Sequence, residues 1–418
     1  MRWWLCILVL LLAVPAQALL MPGTRVVEEH HANPFEIDVS SIDNLGDIPV
    51  DDPSDGINWS FLYLPYPNCT SGTGDATFIA VSRGSSNNIL IYLEGGGACS
   101  DFYTCGMGQY VDHASCNATP TATVTTLNPN PWVVSYHYRY GIFDRANPDN
   151  PFRDWTIVFV PYSTGDVHWG NRVVKYCYYN PYNLSQVDCS INFTVHHVGF
   201  VNAITAIRWA AEQGDFDKVV IAGSSAGGYG TIVHSFYARE IFGKPILAID
   251  DAGPGLNVNQ SNFTIQMLFG IETLNETWGA YDNLPDDAQD FLGDRDPIFF
   301  VDYFLDHYPD SRFALYEDQM DYTIGVFFNG YTEEQFRDLL LNKACEIKAM
   351  HRHNFFRYLP LGTEHTILAY PWFYEKNIHN YRVYEWVWDL IKGKKRDAVE
   401  LDGVRGIYLA CPPGIFAK

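Results

Sequence analysis

Five short apolar runs recur along the chain, each closed by glycine, proline or charge. They are NILIYLEGG (Asn88–Gly96), WTIVFVPY (Trp155–Tyr162), KVVIAG (Lys218–Gly223), PILAIDDAG (Pro245–Gly253) and RFALY (Arg312–Tyr316). Apolar runs this short, without polar alternation, read as strands buried on both faces. Helical patterns lie among and after them. Val198–Gln213 is Ala-rich with apolar residues at helical spacing, Thr332–Met350 opens on a Thr cap and two acids, and Tyr381–Gly393 is stopped by glycine. The alternation predicts an α/β fold: a mostly parallel sheet with helices on both faces. Sheets of this kind carry their chemistry at the carboxyl ends of the strands. The residues that follow each run therefore matter most.

The N-terminus reads MRWWLCILVLLLAVPAQA: one Arg, about a dozen apolar residues, then Ala16-Gln17-Ala18. This predicts a secretory signal peptide over 1–18, since a membrane span needs ~20 apolar residues. Residues 19–55 are rich in Asp, Pro and Ser and are expected as an extended leader on the surface. Residues 56–418 then form a single catalytic domain. Of nine cysteines, eight remain once Cys6 is removed. In a secreted chain an even number predicts disulfides, with Cys99–Cys105 and Cys177–Cys189 as local pairs. Asn-x-Ser/Thr sequons at Asn58, Asn68, Asn117, Asn183, Asn192, Asn259, Asn262 and Asn275 agree with passage through a glycosylating pathway. The formal charge of -22 excludes nucleic acid as an expected partner. No Cys/His spacing suggests zinc, so neither metal nor cofactor is expected.

The run Lys218–Gly223 leads into GSSAGGYG. Gly223-x-Ser225-x-Gly227, between a strand and a helix, is the context of a nucleophile elbow. Small neighbours let strand and helix crowd together, and the central Ser stands clear of the sheet. Ser224 lacks the flanking glycines and is assigned to packing or to a supporting hydrogen bond. A nucleophilic Ser needs a base and the base an orienter, here in the chain order Ser, acid, His. Four histidines follow Asp321. His365, in the Gly-led loop LGTEHTILAY, is the expected base. His351 and His353 sit at a helix end and are read as structural. Asp321, after the run Arg312–Tyr316, is the expected acid, with Asp318 second. Asp250 and Asp251 follow another strand and could brace the elbow instead, or, in the case of Asp251, serve as the acid. Gly95-Gly96-Gly97 after the first run would let a backbone approach substrate closely. Gly96, Gly97 and the N–H of Ala226 are the expected oxyanion hole, where each donor is worth ~3–4 kcal/mol of barrier.

The blocks IYLEGGGAC, IVFVPYSTGDVHWGN, VVIAGSSAGGYG, the Asp321-to-Phe327-Phe328 run and GTEHTIL occur in this order from about Leu90 to Lys392. They resemble the pectin acetylesterase family, which also contains the lipid-ester hydrolase Notum. The resemblance implies an α/β-hydrolase fold and a metal-free triad of Ser225, Asp321 and His365, with Gly96, Gly97 and Ala226 at the oxyanion positions. Where the family often has Pro-Tyr-Cys, this chain has Pro161-Tyr162-Ser163, so the family's disulfide pairing is not carried over. His168 and Trp169 in GDVHWGN could line the pocket or simply pack.

The expected function is a secreted serine esterase that removes O-acetyl groups from a polysaccharide through an acyl-enzyme. The small, polar block GGGACSDFYTC favours a short acyl group. One alternative is a Notum-like carboxylesterase that removes a long-chain acyl group from a protein, which needs a deep apolar pocket. Another is a non-catalytic binding protein on the same fold. A His base must be neutral, so activity is expected to fall as pH drops through about 6–7.

Overall fold

A computed structural model of the protein describes residues 25–27, 31–110, 130–180, 183–262 and 270–401. The expected signal peptide lies outside them, as do Cys116, Cys411 and Asn117. Nine strands form one sheet: β1 (Ser60–Tyr63), β2 (Phe78–Ser82), β3 (Asn88–Leu93), β4 (Thr156–Val160), β5 (Lys218–Ser224), β6 (Ile246–Asp251), β7 (Arg312–Tyr316), β8 (Phe355–Leu359) and β9 (Ala398–Val399). Their spatial order is β1-β2-β4-β3-β5-β6-β7-β8-β9. The β1–β2 and β2–β4 pairs are antiparallel and the rest are parallel. The five apolar runs are all strands of this sheet.

Successive side chains of a strand point to opposite faces, and each face meets its own core. Ile89, Ile91 and Leu93 of β3 join Val219 and Ile221 of β5 on one side. There they pack against Val201, Ile204 and Ile207 of the helix Gly199–Glu212 and Phe300, Val301 and Phe304 of the helix Phe299–His307. Leu90 and Tyr92 join Val220, Ala222 and Ile249 on the other side, against Trp386, Val387 and Leu390 of the helix Val383–Ile391. The helix Glu333–Met350 has the expected Thr332 cap, closed into a capping box by Gln335. The last helix starts at Val383, because Tyr381–Arg382 pairs instead with Asn377–Ile378 in a small hairpin.

Register aligns the strand ends. Leu93 lies opposite Gly223, Ser224 opposite Asp251, Asp251 opposite Tyr316, and Tyr316 opposite Tyr358. The loops that follow β3, β5, β6, β7 and β8 therefore leave the sheet along one rim. These loops contain Gly95–Gly97, Ser225, Ala252, Glu317–Asp321 and Leu361–Thr366.

Three features depart from expectation. A second, antiparallel sheet of Arg25–Val27, Arg172–Asn180 and Asn183–His197 stands beside the main one. The leader, from residue 31 on, has little regular structure, but it does not lie loosely on the surface. Ile37, Val39, Ile42, Leu45 and Ile48 are buried in the larger core. Arg208 donates to the carbonyls of Pro34 and Ile37, and Trp209 to that of Asp43. These apolar residues stand two or three apart among Asp and Ser, a spacing that matches neither the helical nor the strand period. Third, Cys99–Cys105 and Cys177–Cys189 are bonded as expected and Cys345 is also disulfide-bonded, but Cys69 is a free thiol. Burial pushes the Cys69 thiol up to about 12. None of the described helices is long and apolar enough to cross a membrane.

If the leader is part of the core, Ile42→Ala destabilises the protein by ~2–5 kcal/mol, as for other buried aliphatic truncations. Urea unfolding measures this. A loss below ~0.5 kcal/mol, typical of surface positions, would mean the segment is only draped.

Candidate active site

Ser225 has φ 58° and ψ −119°, between the end of β5 at Ser224 and the helix Ala226–Phe242. Positive φ in a non-glycine residue costs about 1–3 kcal/mol and persists only where the surroundings enforce it. Crossing of strand and helix enforces it here. A Cβ on Gly223 would overlap the carbonyl oxygen of Gly227, and one on Gly227 would overlap that of Leu93. The Ser225 N–H donates to the Asp251 carbonyl at 2.7 Å.

Asp251 holds two loops at once. Its carboxylate accepts from Ser224 Oγ, which in turn accepts from Tyr92 Oη at 2.8 Å. It also accepts from the N–H groups of Ile367 (2.9 and 3.0 Å) and Leu368 (2.9 Å), just past His365. Burial raises the Asp251 carboxyl to about 6 despite these donors. Its neighbour Asp250 accepts from the Gly253 N–H instead, and burial holds it well above the carboxylate range.

His365 Nδ1 lies 2.6 Å from Asp321 Oδ2. Asp321 is wholly buried, and its Oδ1 accepts from the N–H groups of Thr323 and Ile324, capping the short helical segment Tyr322–Phe328. The second-choice acid, Asp318, makes no hydrogen bond to the imidazole among the described residues. It is bonded to Lys376, to Tyr316 Oη and to the Glu364 N–H. Glu317 lies fully buried against Asp321, and burial together with the Asp321 charge holds its carboxyl well above the usual range. Beside His365, Thr366 has φ 66°, a second strained residue.

The glycine loop closes the other side. Ser225, Ala226, Gly97 and Ala98 line one cavity of ≈ 790 Å³, counting the space open to solvent. Its walls are apolar, from Trp169, Tyr229, Leu256, Trp278, Ile324 and Phe328 among others. Gly96 is not on the wall; it lies against the Tyr162 ring. The N–H groups of Gly96, Gly97 and Ala226 meet no acceptor among the described residues. Tyr162 Oη donates to the Gly97 carbonyl at 2.8 Å. His168 packs rather than lining the cavity. Its Nε2 is 2.8 Å from the Glu94 carbonyl, and burial lowers its pKa to about 4. Trp169 does line it, held by a 2.7 Å bond to the Tyr229 carbonyl. His351 ends its helix, and its Nε2 lies 2.6 Å from Asp302 Oδ1, a buried structural contact.

The sequence model of the family described as pectinacetylesterase matches residues 66–321. The chain belongs to the pectinacetylesterase family. The matched span includes Gly96, Gly97, Ser225, Ala226 and Asp321 and stops short of His365. As a pectinacetylesterase-family member the chain is a hydrolase of carboxylic esters. Two crystal forms of the Wnt deacylase Notum from Drosophila are similar in structure, with TM-scores of 0.53 and 0.55 at 14% sequence identity. They cover 85% and 84% of this chain, and 99% and 97% of the Notum chain. The likeness shows an α/β-hydrolase fold. No curated protein matches the sequence.

Sequence reading missed most of the cavity wall. Leu256–Val258 come from an irregular segment, and Leu274, Trp278 and Ile324 from short helical segments whose side chains gave no sign of facing a pocket. It also left the brace by Asp251 open and did not single out Lys376.

Stability should depend on pH through the rim carboxyls. Burial raises Glu94 and Asp318 to about 7 and Asp251 to about 6. A carboxyl with a raised folded pKa holds its proton more tightly folded than unfolded, so the fold gains stability as pH falls through that value. Buried His168, His197 and His234, lowered to about 4, 3 and 3, act oppositely, but only below the ordinary His value of about 6.5. Thermal melts should therefore give a higher Tm at pH 6.5 than at pH 8. A Tm that climbs from 6.5 to 8 would contradict these protonation states.

Proposed function

We propose that the chain is a secreted serine esterase in which Ser225, His365 and Asp321 work as a triad. Ser225 Oγ attacks the ester carbonyl carbon while His365 Nε2 takes its proton. Asp321, bonded to Nδ1, fixes the tautomer that leaves Nε2 free and stabilises the imidazolium. The negative oxygen of the tetrahedral intermediate is met by N–H groups of Gly97 and Ala226, with Gly96 as a further candidate. The alcohol leaves with the proton from Nε2. Water then attacks the acyl-Ser225 ester, giving up its proton to Nε2, and Ser225 recovers a proton as the acid departs. The observation that carries this reading is a strained Ser225 opening onto a cavity with two uncommitted N–H donors. The Asp321–His365 pair on the same rim supports it.

The cavity also bears on the acyl group. Walls of Trp, Tyr, Leu, Ile and Phe gain by meeting more hydrocarbon than an acetyl methyl offers. This favours an ester of a longer apolar acid, like the alternative drawn from Notum, over the short acyl group suggested by the glycine-loop block. Removal of acetyl from a polysaccharide is the second reading, favoured by the family match. A protein of net charge -22 repels polyanions, so a polymer accepted here would be weakly charged. Disulfides at Cys99–Cys105 and Cys177–Cys189 fit secretion into an oxidising compartment.

Hydrolysis of p-nitrophenyl esters of rising chain length, by wild type and Ser225→Ala, tests both points. Each buried CH₂ is worth ~0.8 kcal/mol, so kcat/KM should rise about fourfold per methylene until the cavity is full. Ser225→Ala should be inactive throughout. Acetate as the best substrate would restore the short-acyl reading. Equal activity in the variant would remove Ser225 from the mechanism.

A further inference from the structure

Lys376 sits between the turn Pro371–Tyr374 and the strand Asn377–Ile378. Its Nζ lies 2.8 Å from Asp318 Oδ2 and 2.7 Å from Glu364 Oε2. Asp318 is fully buried, and Oδ2 also accepts the Glu364 N–H at 3.0 Å, while Oδ1 accepts Tyr316 Oη at 2.8 Å. The ammonium lies directly against the loop, since a Cβ on Gly362 would come 2.7 Å from Lys376 Nζ. Met320 and Gln319, on the acid loop, donate to the carbonyls of Gly362 and Pro360. Acid loop and histidine loop are thus joined at this point.

Two carboxylates meet here, one of them out of water. A buried carboxylate needs a countercharge or a proton, and Lys376 is the cation that contacts both. Glu364 is the residue before His365, and strained Thr366 is the residue after. On the far side the loop is held by Asp251, through Ile367 and Leu368, and by Trp372 Nε1 on the Thr366 carbonyl at 3.1 Å. On the near side Asp318 and Lys376 tie the loop at Glu364, next to His365, and Glu400 Oε2 accepts the Leu361 N–H at 3.0 Å further back.

We propose that Lys376 is a positioning residue for His365. By neutralising Asp318 and Glu364 together it pins the near side of the histidine loop, so that the ring stays on Asp321. Loss of the ammonium removes the bridge between Asp318 and Glu364, and the strained loop relaxes. The proposal rests on His365 being the base of the esterase reaction.

The test compares Lys376→Met and Lys376→Arg with wild type, by ester kinetics and by hydrogen exchange of the amides from Thr363 to Leu368. Lys376→Met should lower kcat by ~10-fold or more with KM within about twofold, because a small displacement of the base is felt in the transition state and little in binding. Its loop amides should exchange faster. Arg, which can bridge two carboxylates, should restore most of kcat and the protection. An unchanged kcat and unchanged exchange in Lys376→Met would overturn the proposal, and so would a loss that Arg does not repair. If Lys376→Met does not fold, Glu364→Gln keeps the Asp318–Lys376 pair and cuts the other half of the clamp. It should show a smaller drop in kcat with the same faster exchange, and no change in either would overturn the proposal. Exchange reads the clamp independently of turnover. A wild type without esterase activity whose loop still loosens in Lys376→Met would therefore sink the esterase reading and leave the clamp standing.

Discussion

The arrangement of the rim depends on one buried carboxylate. Asp251 ends β6, and its backbone carbonyl holds the N–H of Ser225 while its side chain holds Ser224 and the N–H groups of Ile367 and Leu368. Ser225 and His365 come from loops more than a hundred residues apart, yet both are referred to this single group. Burying it has a cost, visible in a carboxyl raised to about 6. Three donors in fixed directions, Ser224 Oγ and the N–H groups of Ile367 and Leu368, offset that cost and make the group a rigid reference. Strain is concentrated beside it. Ser225 at φ 58° and Thr366 at φ 66° are held in conformations their own residue types disfavour.

The sheet makes such a reference useful. Parallel register brings Leu93, Ser224, Asp251, Tyr316 and Tyr358 into one row, so every loop that contributes chemistry begins at the same height. Glycines do the close work. Gly223 and Gly227 let the helix Ala226–Phe242 start against β3, with Ala226, its first residue, on the cavity wall. Polar groups gather on the rim side, around Ser225, Gly97 and Ala226. Apart from Asn257 and Asn329 the remaining wall is mainly hydrocarbon, which suits an ester whose acid part is apolar.

Much of this is legible in the sequence. Continuous apolar runs identified the central strands, because strands buried on both faces leave little room for other residue types. Gly-x-Ser-x-Gly marked the elbow, because its steric demands leave a local pattern. Asp321 and His365 were legible by position and order, and they meet. The rest depends on contacts that leave no periodic trace. Ile37 to Ile48 enter the core singly, among acids. Cavity walls come from Leu256, Leu274, Trp278 and Ile324, which are unremarkable until the fold brings them together. Asp318 and Asp321 are both acids after the same strand, and only the direction each faces separates a partner of Lys376 from the partner of His365. Gly96 and Gly97 look alike in sequence, but Tyr162 covers one and leaves the other on the cavity wall.

The central claim is that Ser225 is the nucleophile and that Asp251 sets its reactivity. Mass spectrometry of wild type and Asp251→Asn after timed exposure to an alkyl phosphonate ester tests it directly. The account predicts one phosphonyl group on the peptide carrying Ser225 in wild type. In Asp251→Asn, whose amide opposes the Ile367 and Leu368 N–H donors, labelling should be slower by ~10²-fold. Labelling at another residue, or at Ser225 equally fast in both proteins, would contradict it.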